Sequence, residues 1–276
     1  MKLTSLFFLS MLSISLSGQS KIRSAKENLS GSSEIMTQGE FSTEESSSNS
    51  SSPRYQLSDD SPLWGILFQL SLGLAYYAVF ETPAEQQTPM YTAALNPYPF
   101  HRGAKGDYLY ANQDDYVLWR VEGSNYYFPE KGRFYTNDLN VKFRIGNRFA
   151  VNTNYLHFWE KLLSGNENLD MISATAQYYR VRTQRIAFHW GIGASYIAND
   201  VKRWGFALDV GNEIFIKPFS IYTDFRGNFF RHSDILLFSI GPKFHYRNYH
   251  FGIKYQYINL ARNKASGVSF GIGAMF

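Results

Sequence analysis

Gly267-Val268-Ser269-Phe270-Gly271-Ile272-Gly273-Ala274-Met275-Phe276 ends the chain, and its reading decides the fold. In an extended strand successive side chains point to opposite faces of the sheet. One face then carries Val268, Phe270, Ile272, Ala274 and Phe276, and the other Gly267, Ser269, Gly271, Gly273 and Met275. The first face is apolar and the second almost bare. A soluble sandwich strand can alternate in the same way, but it seldom does so at the extreme C-terminus with an aromatic residue last.

The same period of two runs back through the chain to Tyr116. Val117, Trp119 and Val121 alternate with Leu118, Arg120, Glu122 and Ser124, and Leu139, Val141, Phe143 and Ile145 alternate with Asp138, Asn140, Lys142 and Arg144. Further alternating runs centre on Val151, Ala174, Ile192, Phe206, Ile221, Phe238 and Ile253. Gly146-Asn147, Arg182-Thr183-Gln184, Lys217-Pro218 and Arg247-Asn248 read as tight turns. Longer polar loops alternate with them, Leu163–Leu169 being one. That gives ten strands from Tyr116 to Phe276.

Upstream, Leu63–Phe80 also alternates, with Trp64, Ile66, Phe68, Leu70, Leu72, Leu74 and Tyr76 on one face. As a strand it would pair with the C-terminal strand and close the sheet. With a short return strand over Gly106–Asn112 it raises the count to twelve, the number preferred here. The alternative is ten strands plus an N-terminal interfacial helix at Leu63–Phe80. Between these runs, Pro83, Pro89, Pro97 and Pro99 exclude a sheet interior, because each removes a ladder donor, so Thr82–Lys105 reads as a packed loop on the outside.

Composition narrows the class. Aromatic residues make up 17% of the chain, yet the mean hydropathy is -0.30, a value typical of soluble proteins. A transmembrane barrel reconciles the two, since lipid-facing and lumen-facing residues alternate and average out. With no Cys there is neither a disulfide framework nor thiolate chemistry. The net charge of +4, without a basic stripe, argues against nucleic acid.

With Phe276 as its last residue, the C-terminal strand resembles the closing strand of Gram-negative outer-membrane β-barrels. That resemblance implies that Phe276 is part of the signal read by the barrel-assembly machinery. The Tyr- and Phe-rich strands and Ser-rich leader look like the uncharacterised small barrels of the Bacteroidetes type. The expected fold is therefore an all-β, transmembrane, antiparallel up-and-down β-barrel over residues 62–276. The expected location is the cell outer membrane, with both chain ends periplasmic. The resemblance transfers no functional residue.

Residues 1–17 read as a cleaved secretory signal peptide, with Lys2 before the apolar run Leu3–Leu16 and small residues at Ser15 and Ser17. Residues 18–61 are Ser-rich and acidic, with few large apolar groups, and read as a disordered periplasmic tail. The tail could recruit a periplasmic partner.

The inward faces carry an expected polar network: Arg120, Glu122, Asp138, Lys142, Arg144, His189, Asp209, Asp224, Arg226, Ser239, Lys243 and Lys254. The wall holding Arg120, Lys142 and Arg144 reads as mainly basic, and the one holding Asp209 and Asp224 as acidic. Either the walls touch through ion pairs that plug the lumen, or they set a transverse field across a wet pore. A hydrolase reading of Ser239, His189 and Asp209 fails on distance, because Ser239 lies three strands from His189. His232, Ser233 and Asp234 are adjacent in a loop and point apart. His245 and His250 face each other beside Lys243 and Lys254, which makes a poor cation site. No catalytic residue, cofactor or metal site is assigned.

These readings favour a structural barrel or narrow pore for small solutes. The alternatives are a surface enzyme of lipase, acylase or protease type and a barrel anchor acting through its tail. Outer-membrane lipid and lipopolysaccharide are the expected partners, met by Arg133, Lys202, Arg203, Arg231, Arg262 and Lys264 near the loops. The bare face of the final strand marks the first place to look for a passage.

Overall fold

The computed structural model describes residues 20–31, 88–110, 116–130, 133–162 and 165–276. Ten antiparallel strands form a closed barrel: β3 (Trp119–Glu130), β4 (Phe134–Ile145), β5 (Phe149–Leu162), β6 (Gly165–Arg182), β7 (Ile186–Ile197), β8 (Arg203–Ile216), β9 (Phe219–Phe229), β10 (Asp234–Tyr246), β11 (Tyr249–Leu260) and β12 (Asn263–Met275). Each strand pairs with its neighbours in sequence, and β12 returns to β3. The alternation dictates this up-and-down order, because each hairpin keeps one apolar face outward and closure leaves no unpaired edge.

Of the two strand counts, ten is the one observed. β12 closes on β3, with Phe270–Met275 facing Tyr127–Glu122, and both edges of every barrel strand are used. The expected closing partner, Leu63–Phe80, lies outside the described residues. The expected return strand shrinks to β2 (Tyr108–Leu109), which pairs with β1 (Ala94–Leu95) in a separate two-stranded sheet.

The outward face is apolar and exposed. Leu139, Val141, Phe143 and Ile145 on β4 are each at least 39% exposed, and Val268, Phe270 and Ile272 on β12 at least 45%. Adjacent strands continue the belt, far more apolar surface than a soluble monomer presents. Among the described residues no helix is long and apolar enough to cross a membrane.

One rim, the turn end, holds the tight turns after β4, β6, β8 and β10; the other, the loop end, holds the remaining connections. The expected long loops are short here, because strands extend into them: β5 runs to Leu162 and β6 starts at Gly165. The polar residues read as loop still alternate and still find ladder partners, down to Lys161 opposite Asn166.

The bare face of β12 is not open space. A Cβ on Gly271 would lie 2.3 Å from the Tyr126 ring, and one on Gly273 2.1 Å from the His250 ring. These glycines make room for neighbouring rings, and the expected passage along this face is filled.

Residues 20–31 also depart from expectation. Lys21–Ser30 form helix α1, with Ser20 as N-cap and Gly31 in the left-handed conformation (φ 74°) as the C-cap that glycine favours. Ile22, Ala25 and Leu29, spaced on one helical face, are fully buried. A mean taken over the whole Ser-rich stretch hides this three-residue stripe. The remaining residues of the expected tail, and the expected signal peptide, lie outside the described residues.

Candidate functional site

The lumen has three tiers, set by what each strand turns inward. At the loop end the inward residues are apolar: Phe128, Phe134, Leu156, Phe158, Leu169, Leu237 and Ile258 are all buried. They form a collar, and the apolar stripe of α1 sits in it. Polar contacts hold the helix across the mouth. Glu160 accepts from the Ser20 hydroxyl at 2.8 Å and from the Ile22 amide at 3.1 Å. Lys21 pairs with Glu130 at 2.7 Å, Arg23 with Glu167 at 2.7 Å and Lys26 with Asp200 at 2.9 Å. A lysine hydrogen bond holds the exposed Asp200 carboxyl below the usual range. Ser20 thus lies at the end opposite Phe276; the residues before Ser20 lie outside the described ones.

At the turn end the segment holding β1 and β2 enters the barrel, where a loop outside was expected. Leu95, Phe100 and Tyr108 pack against Ala150, Tyr179, Ala187 and Phe215 of the wall. Asp107 lies between two buried guanidiniums, paired with Arg120 at 2.7 Å and with Arg144 in a closer contact. Arg120 also donates to the Asn96 carbonyl at 2.8 Å and pairs with Glu122. The Arg144 guanidinium lies 4.0 Å from the Tyr179 ring centroid. Buried cations of this kind persist only when paired, and Asp107 and Glu122 supply the pairing.

Between the plugs lies a polar chamber with a cavity of about 110 Å³. Asp138 accepts from Arg226 at 2.6 Å and from Lys254 at 2.9 Å. Arg226 also pairs with Asp224 at 2.9 Å. Asp209 accepts from Gln177 at 2.7 Å and Asn152 at 3.1 Å and contacts His189 at 3.2 Å. Lys243 pairs with Glu213 at 3.3 Å, and Lys142 reaches the Tyr179 hydroxyl at 3.2 Å.

The walls therefore meet, and the expected division into basic and acidic walls dissolves into local pairs. The ladder sets Arg120 beside Arg144 and Glu122 beside Lys142. Ser239 is buried opposite Asp224, and its hydroxyl has no hydrogen-bond partner among the described residues.

Sequence reading missed Asp107, Tyr179, Ser220 and Glu213. Asp107 was hidden because a Pro-rich segment carries no period that points it inward. The Ser220 hydroxyl lies 2.8 Å from His245 Nε2 and donates to Glu213 at 2.5 Å. This order puts the hydroxyl between the buried His245 and the half-buried Glu213, where a nucleophilic relay needs the imidazole in the middle. His189, Asp209 and Asp224 bring ligand atoms within 4.8 Å of one another. Their carboxylates are already engaged by Gln177, Asn152 and Arg226, and a guanidinium beside a cation site opposes binding.

No protein-family model matches this sequence, and no curated protein does. Among solved structures, the chain is similar to the Yersinia pestis outer membrane protein Ail in a phospholipid bilayer nanodisc. The identity is 14% and the TM-score 0.32, over 57% of this chain and 98% of that one. Neisserial surface protein A gives 14% and 0.30, over 57% and 96%. The N-terminal β-barrel domain of Pseudomonas aeruginosa OprF gives 10% and 0.28, over the same shares. Likenesses this distant carry no argument; the fold rests on the ladder itself.

Proposed function

We propose that the chain is a Gram-negative outer-membrane β-barrel, of the small Bacteroidetes type, whose lumen is sealed by its own segments. It serves as a structural barrel and not as an open pore. The membrane placement is supported by the continuous apolar belt. It is supported too by aromatic residues near both rims, Trp119, Phe149 and Tyr249 at one and Tyr127, Trp159 and Trp204 at the other. In this reading the leader directs secretion and is cleaved, and Phe276 is read by the assembly machinery. The turn end faces the periplasm, so α1 caps the outer mouth. The loop-end cations then meet lipopolysaccharide.

One observation carries the sealed reading: α1 closes one mouth, the β1–β2 segment closes the other, and the space between is about 110 Å³ of paired charge. Barrels of about eight strands are filled by side chains and those of sixteen or more hold water. At ten strands the occupants decide. Purified barrel in planar bilayers should leave the current at baseline, while regular steps of conductance would establish a pore. The unsubstituted barrel should leave membrane phospholipids unhydrolysed; hydrolysis that is lost in Ser220→Ala would establish a catalytic role for the chamber.

A further inference from the structure

The outward face of the barrel is apolar almost throughout, but on β3 to β6 near the loop end it turns polar. Tyr127, Asn137, His157 and Asp170 lie abreast on four consecutive strands, each opposite the next in the ladder. Asn125 stands below this row, and Trp159 and Asn168 above it. The row borders a surface groove of about 640 Å³. Beyond β6 the outward positions near this level return to Tyr196, Trp204, Phe206 and Phe229, so the notch belongs to one sector of the wall.

An ionisable group on a lipid-facing wall is costly and calls for a partner. Asp170 has three. It accepts from the Tyr155 hydroxyl at 2.7 Å and from Asn199 at 2.7 Å, and it contacts His157 Nδ1 at 2.5 Å. Held there, the imidazole lines the groove. The indole of Trp159 stacks on His157 on one side (5.2 Å between centroids) and on Tyr135 on the other (5.4 Å). The side chains are thus fixed before anything binds, which lowers the ordering cost of binding.

We propose that this notch binds the uncharged sugar head group of a membrane glycolipid. The groups that line the groove select that chemistry. The lining offers amides from Asn125, Asn137 and Asn168, which both donate and accept, with a fixed imidazole and an aromatic wall. It holds no lysine or arginine, and its one carboxylate, Glu167, already pairs with Arg23 and Lys26, so a phosphate or sulfate meets no free counter-charge. Hydroxyl groups, which also both donate and accept, match the amides. The groove opens on the side of the apolar belt, so the sugar arrives on a lipid whose chains lie along Leu139 and Ile172. This inference rests on the membrane placement proposed above.

The test uses the full barrel reconstituted in phosphatidylcholine vesicles, with flotation first reporting insertion. A chain that does not float with the vesicles overturns the membrane placement and the notch together. For the inserted barrel, native mass spectrometry after mild detergent release counts retained lipids, with digalactosyl diacylglycerol as the probe against phosphatidylglycerol. We expect selective retention of the galactolipid, falling about tenfold in Asn137→Leu and His157→Leu, as loss of one or two hydrogen bonds implies. Both positions face outward, so the barrel should still form; Asp170→Asn, which keeps its contact with Asn199, provides a second variant. Equal retention of both lipids by an inserted barrel would overturn the notch alone. So would a barrel dimer abolished by the same substitutions.

Discussion

Asp107 shows how much one carboxylate can decide. Shared with Glu122, it balances the charge of Arg120 and Arg144, both almost wholly buried, and it ties the inserted segment to the wall. Breaking a buried pair from one side leaves an uncompensated charge and costs about 3–5 kcal/mol. Asp107→Asn should therefore lower the unfolding free energy from urea titration of the purified barrel by an amount in that range, moving the midpoint down, and free the turn-end segment to limited proteolysis. An unchanged midpoint would mean that solvent already reaches the two arginines. At this scale the sequence was a fair guide to direction and a poor one to partners. Alternation turned Arg120, Asp138 and Asp209 inward, because a strand's period admits only two faces. It could not tell that Asp138 would meet Arg226, whose number is far away and whose strand lies across the lumen. Gly271 and Gly273 misled for a similar reason, since a missing side chain does not say which neighbour occupies its space.

Among the elements, the ten barrel strands were legible and the two plugs were not. A strand announces itself by a period sustained along its length, whereas α1 depends on three apolar residues in a polar stretch and on a collar built from strands far along the chain. The collar is itself invisible to a period of two, because Leu237 and Ser239 share the inward face of β10 yet belong to different tiers. The hold on α1 is partly electrostatic, which gives it a pH dependence of known sign. Lys26 keeps the folded Asp200 carboxyl below its unfolded value, near 4 for a free aspartate. Its contribution is full above that unfolded value and is lost as pH falls through the lower folded value. Amide hydrogen exchange in Lys21–Ser30, corrected for intrinsic rates, should be flat from about pH 8 to 5 and should rise below about pH 4. Exchange that stays flat to the lowest pH would show that the apolar stripe alone holds the helix.

For the whole molecule, the two plugs act at opposite ends and do not touch, so their removal should be unequal in effect. Deleting residues 20–31 uncovers the collar but leaves the paired chamber and the turn-end segment in place, and the bilayer current should stay at baseline. Combining that deletion with Asp107→Asn should bring conductance steps, since both seals are then weakened. Steps from the deletion alone would locate the barrier in α1. The closed ring could be foreseen from the even number of staves and the apolar terminus, but the identity of the closing pair could not. Leu63–Phe80 has the same alternation as β3, and only the ladder distinguishes which run meets β12.

The ion pair between Asp138 and Arg226 also has a mechanical meaning. β4 and β9 stand five places apart in a ring of ten, so a contact of 2.6 Å between their side chains spans a diameter. A hollow cylinder under sideways load yields by becoming oval, and a stiff spoke across its width resists that first mode of deformation. The hydrogen-bonded join most at risk is β12 to β3, where only six residues of each strand are in register. A brace at mid-height keeps the load from concentrating there, so the rigidity of the round cross-section protects its weakest weld.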